Sequence, residues 1–323
     1  MAHEIEIING QASTFTVGEA PWHKLGKRFI TAPTLDEAIV AAGLDWEVTT
    51  EPVFTGAQEP VEAMITRRSS DKSILGVVGT TYKPVQNKEA FDFFKPFIDS
   101  GACTIETAGS LRQGRRVWVQ AKIKADPFTV KGNDTVEAYV LLSNSHDGTT
   151  AVRTGFTPQR VVCQNTLAMA HGDRASKFLR IRHTQNVLET LSLARDAMNL
   201  ASREFEASVE LYQRLARRDI VKSDLENYVK LIFNTPKEIE AKGNLANIDG
   251  KRIFNQIEPL FEVGRGNDMP EIRGTAWAAY NAVTEYLQYK RGTDDQLRLD
   301  KLWFGEGRTL NQKALEVALA MVG

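Results

Sequence analysis

The apolar residues of this chain change their period once, near Thr184. Upstream, short apolar runs alternate with polar residues between turn signals, the pattern of half-buried strands. Downstream, Leu188, Leu191, Met198, Phe205, Tyr212 and Leu215 recur at helical spacing, with Arg, Glu and Asp on the intervening positions. One element cannot serve both periods. The switch predicts an α+β chain: N-terminal antiparallel β-hairpins with short helices, then a mainly α-helical C-terminal part with one long amphipathic helix. The expected division is an arm over residues 1–33, an α+β nucleic-acid-binding domain over 34–183, and a helical oligomerisation and packing domain over 184–323.

Local signals place the elements. Thr34 with Glu37 three residues on is a capping box opening a helix over Leu35 to Ala42. Ser69-Ser70-Asp71-Lys72 joins Val61–Arg68 to Ser73–Thr80 as a hairpin. Asn87 opens a short helix with Phe91, Phe94 and Ile98 on one stripe. A second hairpin pairs Cys103–Ala108 with Arg116–Ile123 across a basic turn that holds Arg112 and Arg115. Asp147-Gly148 marks a turn between strands Val136–Ser143 and Thr149–Gly155. Gln159–Val162 reads as a last strand and Asn165 to Ala170 as the start of a helix. Helices are also expected over Ser223–Phe233, over Gly250–Val263 with a break at Pro259, over Thr275–Arg291 and over Leu310–Val322.

Apolar residues at 42 % and charged residues at 25 % describe a soluble globular chain. No apolar run nears the ~20 residues that span a bilayer. The N-terminus lacks the basic start and apolar core of a secretory signal. Cys103 and Cys163 are too few for a disulfide framework. A cytoplasmic protein with free thiols and no membrane association is expected. Net charge is −1, but its distribution is uneven. Residues 111–182 hold twelve Lys/Arg against five Asp/Glu, and the rest holds 28 against 36. The middle of the chain is basic and the remainder acidic, as on a nucleic-acid surface or on a face that pairs with an acidic neighbour.

The stretch Ser143 to Leu167 carries the densest chemistry. His146, Asp147 and Cys163 form a possible thiol or metal cluster there, the basis of an enzymatic alternative. The competing reading is a surface turn and a small buried apolar thiol. His3, His23, His146, His171 and His183 form no HxxxH pattern, and the cysteines form no CxxC. There is no GxxxxGK[ST] and no GxGxxG after a strand. No metal, cofactor or catalytic residue is therefore expected. Basic residues give the stronger signal: Arg112, Arg115 and Arg116 at the hairpin turn, Lys122 on its polar face, Arg153 and Arg160 around GFTPQ, then Lys177, Arg180 and Arg182. Guanidinium groups on a sheet edge suit phosphate contact. Trp118, Phe128 and Phe156 lie among them and could stack on bases. Asn165 completes the candidate set.

The segments APWHKLG, SNSHDGTTAVRTGFTPQRVVCQNTL, GTAWAAYNAVTEYLQYKRG and LWFGEG resemble the phage/plasmid-like proteins of unassigned function found on mobile elements. The resemblance runs from Pro21 to the C-terminus. It implies a mobile-element context without naming an activity. The order of elements, a helix, a strand led by Trp46, then hairpins and a helix over a basic middle, is loosely similar to the Rad-fifty-two-type single-strand annealing proteins. That analogy implies a ring or filament of identical subunits, single-stranded DNA in a basic groove, and no nucleotide cofactor. The expected function is single-stranded DNA binding and annealing in recombination, as a homo-oligomer. The alternative is a non-enzymatic structural or interaction protein that self-assembles through its helices.

Overall fold

A computed structural model describes residues 5–8, 10–18, 25–124, 126–160, 165–166, 179–184, 186–187, 189, 202–234, 248–292, 301–302 and 305–323. The chain divides into two compact units. The first is Met1–Ala125, Tyr139–Phe156 and Lys177–Ala201; the second is Asp126–Ala138, Thr157–Ser176 and Ser202–Gly323.

The strands are, in chain order, β1 (Ile7–Ile8), β2 (Gln11–Ala12), β3 (Thr14–Val17), β4 (Lys27–Phe29), β5 (Val48–Phe54), β6 (Pro60–Arg68), β7 (Ile74–Val78), β8 (Cys103–Leu111), β9 (Arg116–Ile123), β10 (Phe128–Lys131), β11 (Asp134–Ser145), β12 (Val152–Arg160), β13 (Asn165–Thr166) and β14 (Leu179–Ile181). The first unit holds a sheet ordered β12-β11-β9-β8-β3-β4, with β14 on β12. In it β9 pairs antiparallel with β11 and β8, β8 with β3, and β12 with β14, whereas β3 and β4 are parallel. A separate antiparallel sheet runs β5-β6-β7.

Alternation sorts the large sheet into two faces. Val117, Val119 and Ala121 of β9, Val140 and Leu142 of β11, Val152 of β12 and Ile181 of β14 all enter one core. Helices α1 (Leu35–Ala41), α2 (Asn87–Asp92) and α3 (Lys95–Asp99) belong to this unit. Leu44, Phe91, Phe93 and Phe94 join the same core. The capping box forms as expected: Thr34 Oγ1 accepts from Glu37 N–H at 3.3 Å, and Thr34 N–H donates to Glu37 Oε2 at 2.9 Å. The Phe-rich helix expected after Asn87 is two pieces, since Pro96 opens α3 near its N-terminus.

The first unit also buries an ion pair. Arg68, 2 % exposed, donates through Nη2 to Glu6 Oε1 at 2.7 Å and to the Gln113 carbonyl at 2.6 Å. Its guanidinium lies 4.7 Å from the Trp46 ring centre. The other Glu6 oxygen accepts from Ser110 Oγ at 2.7 Å. The hairpin turn reaches Arg68 because Arg112, Gln113 and Gly114 all take positive φ, at 54°, 58° and 82°. A Cβ at position 114 would collide with the Arg68 guanidinium.

In the second unit β10 pairs with residues 134–136 of β11, and β13 with the end of β12. Its helices are α4 (Ser202–Arg217), α5 (Lys222–Phe233), α6 (Ile248–Val263), α7 (Ala276–Glu285) and α8 (Glu306–Ala320), with a π-helical turn at Tyr286–Lys290. Every residue of α7 is buried, as its run of alanines and aromatics requires. Its two large polar aromatics find partners: Trp277 Nε1 donates to Asp134 Oδ2 at 2.7 Å and Tyr280 Oη to Asn311 Oδ1 at 3.0 Å. Among the described residues no helix is long and apolar enough to cross a membrane.

Two parts of the expected architecture are corrected. The N-terminal part is not a set of hairpins with short helices; it contributes a large mixed sheet, entered by β3 and β4 from the first thirty residues. The long amphipathic helix expected from Thr184 is not shown among the described residues. Leu179–Ile181 is a strand, and the helix carrying Tyr212 and Leu215 is the sixteen-residue α4. Val187 is buried in the first unit's core, whereas Tyr212 and Leu215 are buried in the second unit. Which core covers each described residue is set by its unit and not by its place on a stripe. Leu188, Leu191 and Met198 lie outside the described residues. Smaller shifts follow the same logic: Asn165–Thr166 is a strand where a helix start was expected, and α6 runs on through Pro259.

Replacing Glu6 by Ala leaves a buried guanidinium without its carboxylate and is expected to cost about 3–5 kcal/mol in urea unfolding. Gly114→Ala, which strains the turn and presses on Arg68, should destabilise in the same direction. Thr34→Ala should cost about 1 kcal/mol through the lost cap.

Candidate functional site

The block Ser143–Asp147 ends β11 and turns toward β12. Ser143, Asn144, Ser145 and His146 are all buried. A buried turn must satisfy its polar groups internally. The Ser145 carbonyl accepts from Tyr82 Oη at 2.7 Å, and the His146 carbonyl from Thr66 Oγ1 at 2.7 Å. His146 N–H donates to the Arg115 carbonyl at 2.8 Å, and Asn144 Nδ2 to the Val85 carbonyl at 2.8 Å. Gly76 of β7 lies against the Asp147 backbone, where a Cβ would clash.

His146 Nε2 sits 2.9 Å from Asn87 Oδ1. Asn87 Nδ2 already donates to the Leu44 and Trp46 carbonyls, at 3.0 and 3.2 Å. Oδ1 is therefore the acceptor end, and His146 carries its proton on Nε2. The ring meets Trp46 edge to face, with centroids 5.3 Å apart. Full burial, then the nearby His183, push the His146 pKa down to about 3. His183 is lowered too, mainly by burial, and stacks on Tyr82 at 4.6 Å. Burial opposes charge on Asp147, yet Ser145 Oγ and Thr149 N–H and Oγ1, at 2.6, 2.9 and 2.6 Å, hold its carboxyl below the usual range, helped by Arg116. A histidine that is neutral, donor-locked and sealed from solvent organises its neighbours. Cys163, the third member of the enzymatic alternative, lies outside the described residues.

The basic candidates occupy the other face of the same sheet. Because Val117, Val119 and Val152 face the core, Arg116, Trp118, Gln120 and Lys122 of β9 and Arg153 of β12 face away from it. Cross-strand register adds Ser145 opposite Arg116, Ser143 opposite Trp118 and Tyr139 opposite Lys122. It also sets Arg153 directly opposite Arg180 of β14. The short connection 146–151 puts the start of β12 beside the end of β11, so Arg116, Arg153 and Arg180 share one end of the sheet. From β9 to β14 this spans three strand spacings, about 15 Å. Burial first, then the Arg180 charge, lowers the Arg153 pKa.

The candidates differ in access. Arg115, Arg180 and Arg182 are exposed, and Arg112, Lys122 and Arg153 are half-buried. Arg116 at 5 % and Trp118 at 3 % exposure present almost nothing to solvent in this chain. Phe156 packs against the first unit's core. Phe128, half-buried in β10, belongs to the second unit, as do Arg160 and Asn165, which pair backbone to backbone between β12 and β13. Lys177 lies outside the described residues. The alternation Arg116-Trp118-Gln120-Lys122 was visible in the sequence, but the Arg153–Arg180 pairing was not. Also missed were Asn87, Tyr82 and His183, whose only local signal is a polar residue beside an apolar run.

Between the ordinary 6.5 and about 3, only the unfolded chain protonates position 146, so lowering the pH through that window destabilises the fold. The expected slope from this group is about 1.4 kcal/mol per pH unit. Urea midpoints measured across the window should flatten in His146→Gln, which starts less stable but lacks this titration.

No curated protein and no solved structure matches the chain. The sequence model of one family, described as a domain of unknown function (DUF932), matches residues 74–303, well over half the chain and including β7 to β14 with the Ser143–Asp147 turn, the sheet's basic face and α7. By the extent of that match, the chain belongs to this family of unassigned function.

Proposed function

We propose that this protein binds single-stranded DNA and anneals complementary strands during recombination of mobile elements, working as a homo-oligomer. The observation that carries the reading is the cross-strand pair Arg153–Arg180 on the sheet face that also bears Arg116 and Lys122. Like charges directly opposite each other destabilise a sheet. A phosphate accepts from two guanidinium groups at once, so that spot suits an anion. Exposed Arg182 two residues beyond Arg180, and exposed Arg115 at the hairpin turn, extend the positive field along a strand of nucleic acid. The phage/plasmid-like resemblance supplies the mobile-element context, and the element-order analogy supplies annealing as the activity. Arg116 serves a structural part in this reading, since it lies buried beside Asp147. Base stacking then falls to side chains other than buried Trp118.

Anisotropy of a labelled oligonucleotide tests the reading. Binding should weaken steeply with salt, with a log–log slope of about −0.7 per phosphate contact. The double variant Arg153→Glu with Arg180→Glu should lose at least about tenfold in affinity and flatten the slope by one or two contacts. Annealing of complementary strands should be accelerated without any nucleotide and slowed by the same substitutions. No binding at low salt, or binding indifferent to salt, sinks the proposal.

A further inference from the structure

The small sheet β5-β6-β7 buries one face only. Val48, Thr66, Arg68, Leu75 and Val78 point inward. The outer face carries Val53, Val61, Ile65, Ile74 and Val77 around an ion pair, Arg67 Nε to Glu51 Oε1 at 2.7 Å. Phe54, Val61, Ile74 and Val77 are 52, 41, 52 and 64 % exposed. These are four of the ten large apolar side chains exposed among the described residues, gathered on one three-stranded sheet.

The two edges of that sheet differ. The β5 edge carries Glu51 and Pro52, a charge and a residue without an N–H, both of which discourage a further strand. The β7 edge reads Ile-Leu-Gly-Val-Val. It has no charge and no proline, and it pairs with β6 on one side and with no strand among the described residues on the other. Soluble proteins blunt an edge of this kind unless something pairs with it.

We infer that β7 is a self-association edge, where a second copy of this chain adds its own β7 antiparallel across a twofold axis. Two three-stranded sheets then become one of six strands. The match is isologous, so one neutral β-prone strand supplies both halves of the interface. Ile74 and Val77 are covered by their mates in the pair. The face repels no identical copy, because its acid and its base, Glu51 and Arg67, neutralise each other in place. A partner of a strongly charged kind finds no complementary charge on this edge. The inference rests on the self-association in the reading above, but not on nucleic-acid binding.

Size-exclusion with light scattering of the full chain, without nucleic acid, reads the result. The wild type should run at twice the 36.0 kDa of one chain or a multiple of it. Val77→Glu and, separately, Ile74→Lys should halve that mass while the circular dichroism spectrum and the oligonucleotide affinity per chain stay unchanged. Val53→Glu, on the outer face but next to the β5 edge, should leave the mass alone. A wild type that is monomeric at micromolar concentration overturns both the edge and the homo-oligomer. A wild-type oligomer that survives both β7 substitutions overturns the edge alone. Dissociation by Val53→Glu overturns edge pairing in favour of face-to-face stacking.

Discussion

The buried Glu6–Arg68 pair is the contact on which much of the first unit depends. A guanidinium removed from water must be neutralised and its N–H groups accepted, or the fold loses several kcal/mol. The Arg68 charge is met by a carboxylate from the first ten residues, its Nη2 also by a carbonyl from the β8–β9 turn, and its plane by the face of Trp46. Each partner comes from a different segment. The N-terminal strands, the small sheet and the basic hairpin are held in register by one side chain. Trp46 passes the constraint onward, since its ring is also the wall against which His146 is set.

Around this anchor the large sheet divides its labour between faces. The core face is mainly apolar from β8 to β14, with buried Ser110 and Asn144 on either side of Val117. The opposite face is polar and basic, and the buried turn at its end is tied down by Tyr82, Thr66, Asn87 and Arg115. The residues that looked most chemical in the sequence, His146 and Asp147, are spent on holding that turn. Lys122 and Arg153 on this face keep partial access to solvent, as do Tyr139 and Thr104, and Arg180 is exposed. A turn tied down by hydrogen bonds stands at one end of this face, with the cross-strand pair Arg153–Arg180 beside it.

Much of the local structure was legible because local physics settles it. The Thr34–Glu37 capping box, the Ser69–Lys72 turn and the alternation along Arg116–Ile123 each depend on residues a few positions apart. The site was legible only in composition. Arg153 and Arg180 meet because two strands separated by a long connection pair in one register, and a single shifted residue would send one arginine to the core face. His146 finds Asn87 across 59 residues, and Arg68 finds Glu6 across 62. Nothing in the neighbourhood of either residue announces its partner. Trp118 shows the converse: an aromatic among cations has the composition of a stacking platform, and its burial comes from the tertiary structure.

The helical spacing after Thr184 marks the boundary between the two kinds of information. By itself the sequence determined where backbone periodicity changes, where helices are capped and where hairpins turn, since those follow from dihedral preference and side-chain alternation. Only the tertiary structure decided that Val187 enters one core while Tyr212 and Leu215 enter another, and that a strand, β14, precedes them. The physical reason is that apolar burial is non-directional. A stripe of apolar residues specifies that it must be covered, and the rest of the chain chooses what covers it.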